Sequence, residues 1–280
     1  MKKMRGISIA FIAIVSALLL LYPTVAKTHF YAPVRYGYTK FLLWQTSNWH
    51  TVNTSSAVIR YGLADKEDAT LVGIDAETAM AKINKELNFQ PKGKTLFIIY
   101  PDGMSLGRSF GWDGDAGAMG VYYGGVIRLL SPQLWVKPEQ GQTFQEVFAQ
   151  EGPVLHEYVH LVIDNKTNGN YTRWFTEGLA QYYEDKFLKN VDNNPDIKAP
   201  FEISEMGANF DSLQDQEWAY AQSYLMVKSM MESYGSEKMD VFLKNLGTGM
   251  EFSSAFKKTY GINIDQFFDG FTDSLHIGKL

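Results

Sequence analysis

The chain has 280 residues, 45% of them hydrophobic, carries a net charge of −5 and contains no cysteine. This length supports one substantial core, or one core in two lobes. The acidic balance argues against nucleic acid, which needs a concentrated basic face, and the lack of cysteine removes thiol nucleophiles, thiolate metal ligands and disulfides.

Lys2, Lys3 and Arg5 precede an apolar run from Ile7 to Tyr22, and Pro23-Thr24-Val25-Ala26 follows. A basic start, a hydrophobic stretch and small residues at Thr24 and Ala26 describe an export signal. Its length lies between a signal-peptide core and the shortest spanning helix. We read residues 1–26 as an uncleaved anchor with the body of the chain outside the cytoplasm; cleavage near Ala26, giving a secreted protein, is the alternative. Residues 27–54 are rich in aromatics but show no sustained periodicity. They read as a juxtamembrane linker, with Tyr and Trp near the interface, or as a segment packed on the domain. His29 and His50 lie here without a partner motif and read as structural or solvent-facing.

From Ser55 the pattern sharpens. "AVIRYG" predicts a strand, "ATLVGIDAETAMAKINKELNF" a helix and "KTLFIIYP" a strand stopped by Pro101-Asp102-Gly103. A glycine-rich stretch follows. Its Asp113 and Asp115 hint at calcium, but the spacing matches no standard loop and a turn is the better reading. Residues Met119 to Leu130 predict a strand, and "TFQEVFAQE" a separate helical segment before, or a kinked extension of, a helix that starts at Gly152-Pro153.

That helix carries the informative motif, His156-Glu157-Tyr158-Val159-His160. Histidines at i and i+4 share one helix face, so both rings reach one metal ion. Glu157, about 100° around the helix, is aimed at the water such an ion would activate rather than at the ion itself. Asp164 to Asn170 is a cluster of turn formers, and "RWFTEGLAQYYE" beyond it predicts a second helix. The resulting αα-hairpin brings Glu177 back over the histidine pair as a third ligand. Gly178, lacking a side chain, allows close approach of the second helix to the first. Farther on, "EWAYAQSYLMVKSMMESYG" predicts a helix ending at Gly235, with two shorter amphipathic segments after it to Leu275. Met226, Met230 and Met231 read as core filler, and His276 has no evident role.

"GPVLHEYVH" followed by "RWFTEGLAQYYE" resembles the gluzincin metallopeptidases, most closely the peptidase MA-like group. The resemblance implies an α+β, zincin-like domain over residues 55–280: a small mixed sheet plus the active-site helix, then a mainly helical C-terminal lobe. It implies one Zn2+ per chain held by His156, His160 and Glu177, a peptide or protein substrate, and Glu157 as general base. In that fold a strand beside the active-site helix edges the cleft, where it can pair with an extended peptide. The resemblance departs at Gln181, where the thermolysin branch has an aspartate that orients the first histidine; the Gln181 amide oxygen could accept the same imidazole N–H, as a neutral acceptor that polarises the ring less. Tyr220 is the candidate for stabilising the oxyanion, with Tyr224 and Tyr183 as rivals. Two other readings are a non-catalytic or sensory ectodomain on the same fold, and a zinc hydrolase of a non-protein amide such as a cell-wall crosslink.

Overall fold

Six consecutive buried residues, Thr95–Tyr100, form the central strand of a five-stranded sheet. In chain order the strands are β1 (His50–Asn53), β2 (Ala57–Tyr61), β3 (Thr95–Tyr100), β4 (Gly120–Tyr123) and β5 (Val126–Leu130). They lie side by side in the order β1-β2-β3-β5-β4. The middle three are parallel, while β1 and β4 run antiparallel along the two edges. The helices are α1 (Val25–Gln45), α2 (Lys66–Glu86), α3 (Gly103–Arg108), α4 (Phe144–Glu151), α5 (Val154–Thr167), α6 (Arg173–Phe187), α7 (Ile203–Ala208), α8 (Gln216–Gly247), α9 (Phe252–Tyr260) and α10 (Ile264–Ile277). The computed structural model describes residues 25–62, 65–191 and 197–277. The run from Ile7 to Tyr22, and with it the expected export or anchor segment, lies outside the described residues. Among the described residues no helix is long and apolar enough to cross a membrane.

Period-two alternation splits β3 between two cores. Phe97 and Ile99 join α2, α5 and the C-terminal helices in the main core. Leu96, Ile98 and Tyr100 face the other way, against Leu42 of α1 and Leu106 of α3. Residues 27–54 thus form helix α1, which covers the second face of the sheet, and strand β1, which extends it. Their lack of apolar periodicity has a physical reason. The inner face of α1 is made of Tyr31, Arg35 and Tyr38, whose polar ends are satisfied by residues far along the chain.

The segment Met119–Leu130 is a hairpin rather than one strand. Gly124 and Gly125 have φ of +59° and +90°, the two left-handed residues that a tight two-residue turn requires. Beyond the sheet the chain is helical. Gly235, with φ 75° and ψ 170°, interrupts α8 at the expected stop, but the helix resumes to Gly247, so three helical segments follow instead of two. Met226 and Met230 are fully buried and Met231 nearly so, as filler of this lobe. A mixed sheet with covering helices, followed by a mainly helical lobe, is the architecture that positions the site.

Candidate metal centre

Helix α4 is fixed by a capping box between Thr143 and Glu146, and Gly152 then turns the chain in extended conformation. Pro153 stands at the N-cap of α5, where its missing N–H costs nothing. Helix α5 runs through the main core with most of its side chains buried, so its polar residues are held by specific partners. It extends to Thr167, and Asn168 closes it in the left-handed conformation. Asp164, Asn165 and Lys166 therefore belong to its last turns and not to a loop. Tertiary contacts override their turn preference: Asp164, fully buried, accepts hydrogen bonds from Tyr31, Tyr122 and Tyr171 and pairs with Arg35 at 2.6 Å.

His156 and His160 stack along one face of α5 with ring centroids 4.7 Å apart. The return through α6 brings Glu177 Oε2 to 3.3 Å from His156 Nε2 and 3.5 Å from His160 Nε2. Among the described residues this is a group of three whose ligand atoms all lie within 4.8 Å of one another. Two imidazole nitrogens and one carboxylate oxygen, with a fourth position open, suit a single zinc ion. The donors are also correctly oriented. His160 Nδ1 lies 2.7 Å from Thr176 Oγ1 and His156 Nδ1 lies 2.9 Å from Glu184 Oε2, and both Nε2 atoms face the centre. In the metal-free chain burial opposes charge on His156, yet Glu184 and Glu177 outweigh it and lift its pKa well above the ordinary range. Burial likewise pushes Glu177 up, but His160 and His156 hold it well below the usual carboxylate range.

The orienting acceptor for His156 is thus Glu184, whereas Gln181 turns away and donates from Nε2 to the Tyr220 carbonyl at 3.3 Å. Gly178 also serves a different contact from the one expected. A Cβ there would sit 2.2 Å from the carbonyl oxygen of Ser223, so the glycine admits α8, not α5, against α6. Arg173, one turn before Glu177, binds its second oxygen Oε1 at 2.9 Å and reaches Asp211 at 3.3 Å. The i,i+4 spacing of Arg173 and Glu177 is the signal that would have found it.

Strand β4 lies along the N-terminal turns of α5. Gly120 makes this possible, since a Cβ there would meet Pro153 at 2.8 Å and Glu157 Cγ at 3.1 Å. The backbone N–H of Tyr122 donates to Glu157 Oε2 at 2.5 Å. The triad and Glu157 open into a cavity of about 310 Å³ lined also by Trp112, Val121, Arg173 and Tyr220. Tyr220 is next to Arg173; burial first, then the charge of Glu177, raises its pKa. Tyr224 is buried with its hydroxyl 3.0 Å from Asp185, and Tyr183 is buried among core aromatics; neither lines the cavity. Of the other residues singled out, His50 packs on Tyr61, and Asp115 accepts from the Gly117 amide at 2.8 Å, as in a turn.

No curated protein matches the chain. Residues 142–276, just under half of it, match the family model of the Peptidase MA superfamily. That span contains α4, the metal-ligand hairpin and the helical lobe. Within that span the His156-Glu157-x-x-His160…Glu177 cluster reproduces the HExxH…E signature of the gluzincin zinc proteases, in agreement with the match to the Peptidase MA superfamily.

Proposed function

We propose that the protein hydrolyses peptide bonds outside the cytoplasm, with Glu157 as general base and Tyr220 as the donor to the developing oxyanion. The observation that carries this reading is the position of Glu157: it opens into the same cavity as the three ligands but is not one of them. Zinc in this centre supplies a Lewis acid for the scissile carbonyl and acidifies a water molecule. Tyr122 N–H fixes one carboxylate oxygen of Glu157, so the other, Oε1, accepts the water proton and passes it to the leaving amine. Tyr220, with its pKa raised, stays protonated at neutral pH and donates to the oxyanion beside Arg173. Strand β4 pairs with β5 on one side only, and the substrate chain adds to its other edge in extended form. The hydrophobic run from Ile7 to Tyr22 holds residues 27–280 at the outer membrane face, with 55–280 as the peptidase unit.

Glu157→Gln tests the chemistry. Zinc content and thermal stability stay as in the wild type, while hydrolysis of a peptide library falls about 100-fold or more. Near wild-type cleavage by the variant would overturn the assignment of the base. For location, protease added to intact cells reaches the body of the chain while the anchor stays in the membrane fraction; a chain beginning at Lys27 in the medium would show secretion instead.

A further inference from the structure

Helix α1 has two faces of opposite use. Tyr31, Arg35, Tyr38 and Leu42 face the domain, where Arg35 pairs with Asp164 and Leu42 is buried under the sheet. Phe30, Val34, Gly37, Phe41 and Trp44 recur at alternating spacings of four and three, within an arc of roughly 80° on a helical wheel. All five are exposed; Val34 retains 64% and Trp44 71% of its accessible surface. Exposed apolar residues are ordinary when scattered, but an aligned aromatic stripe marks an interaction surface.

The charge distribution says what covers it. Every Asp and Glu of the chain lies at or beyond Asp65, while α1 carries the exposed Lys40. An acid-free helix whose exposed face carries an aromatic stripe with a lysine beside it suits the interfacial layer of a bilayer with anionic headgroups. Lys40 stands over the ring of exposed Tyr36 at 5.3 Å, beside the stripe, where an amphipathic tip meets headgroups. The helix follows closely on the apolar run from Ile7 to Tyr22, yet it is not apolar enough to cross a membrane itself.

We propose that the outer face of α1 lies in the headgroup layer of an anionic bilayer, so that α1 fixes the catalytic helix relative to the membrane surface. This rests on the reading that the N-terminal run holds the chain at a membrane. The inner face provides the coupling. Arg35 and Tyr31 grip Asp164, four residues beyond the ligand His160 on the same helix, and Tyr122 joins that carboxylate to the edge strand of the cleft. Substrates of such an arrangement are peptide segments close to the membrane.

The native chain has no cysteine, so single cysteines carry nitroxide labels cleanly. Val34→Cys, Phe41→Cys and, as a control in an exposed loop, Lys92→Cys are made in the full chain and reconstituted in phosphatidylcholine vesicles with and without phosphatidylglycerol. Labels at 34 and 41 should be relaxed several-fold more by oxygen than by a water-soluble nickel complex, relative to the label at 92, and more so with the anionic lipid. If the chain floats with the vesicles but all three labels meet the nickel complex equally, the α1 inference fails and the anchor reading stands. A chain that does not float overturns both. Dipolar coupling between labels at 41 that is independent of lipid would overturn the inference in favour of a second copy of the chain.

Discussion

Glu184 Oε2 lies 2.9 Å from His156 Nδ1, and this contact holds the imidazole with Nε2 toward the metal centre. Glu184 stands seven residues beyond Glu177 on α6, two helical turns along the same face, so one helix supplies both a ligand and the carboxylate that orients another ligand. A charged acceptor also makes the ring a better donor to zinc than a neutral amide would. Glu184→Ala should therefore weaken zinc binding by about 10- to 100-fold, and Glu184→Gln by less, read by competition with a chromogenic chelator. Unchanged affinity in both variants would mean that the contact does not set the ring.

Tyr220→Phe removes a hydroxyl at the cavity without emptying its volume. The expected result is a fall in kcat of about 100-fold, with KM and zinc content close to wild type. Tyr224→Phe is the matched control, since its hydroxyl is directed to Asp185 and not to the cavity. Equal losses from the two variants would show that Tyr220 acts through packing.

The site was legible wherever its geometry follows from spacing within one helix. The histidines four apart, and Glu157 between them, need only the helical repeat to be read. Glu177 needed one more step, a short return between two helices. What stayed hidden depends on contacts across the chain. The choice of Glu184 over Gln181 is made by the packing of α6 against α5 and α8, which decides the side chain that meets His156. Helix α1 was hidden because its buried face is polar and aromatic, and Arg35 finds its partner Asp164 129 residues away. The Gly124-Gly125 hairpin, by contrast, carried a readable local signal that the strong apolar run of β5 masked.

Gly178→Ala should lower stability markedly. The added Cβ meets a backbone carbonyl at 2.2 Å and Val227 Cγ2 at 2.7 Å, so α8 must shift rather than a side chain rotate. A loss of about 1–3 kcal/mol is expected from denaturant unfolding. Because Glu177 is the adjacent residue, zinc affinity should drop as well, which a purely distant packing defect would not cause.

Two carboxylates on α2 respond to acid in opposite senses. Burial pushes Asp75 up to about 7, so it destabilises the fold when ionised; its cost appears as pH rises from about 4 through 7. Asp75→Asn should raise the melting temperature at pH 8 and have little effect at pH 4. Glu77 is held down at about 2 by hydrogen bonds from Thr54, Ser55 and Ser56. Its contribution is complete above about 4.5 and is lost as pH falls toward 2, so Glu77→Gln should destabilise at pH 7 and not at pH 2. Melting curves of both variants across pH 2–8 check the two signs together.

Arg35 is the only cation paired with the fully buried Asp164 among the described residues, and its side chain is itself largely covered. Replacing it with methionine keeps much of the packing but leaves the carboxylate with tyrosine hydroxyls as its donors. An uncompensated buried charge costs about 3 kcal/mol, or roughly 6–12 °C in melting temperature for a domain of this size. Asp164→Asn added to Arg35→Met should recover part of that loss, because the second change removes the charge the first one stranded. Such a recovery separates the ion pair from simple packing. If Arg35→Met melts at the wild-type temperature, α1 is not docked on the catalytic helix in solution, and the link from the N-terminal helix to the metal centre would be lost with it.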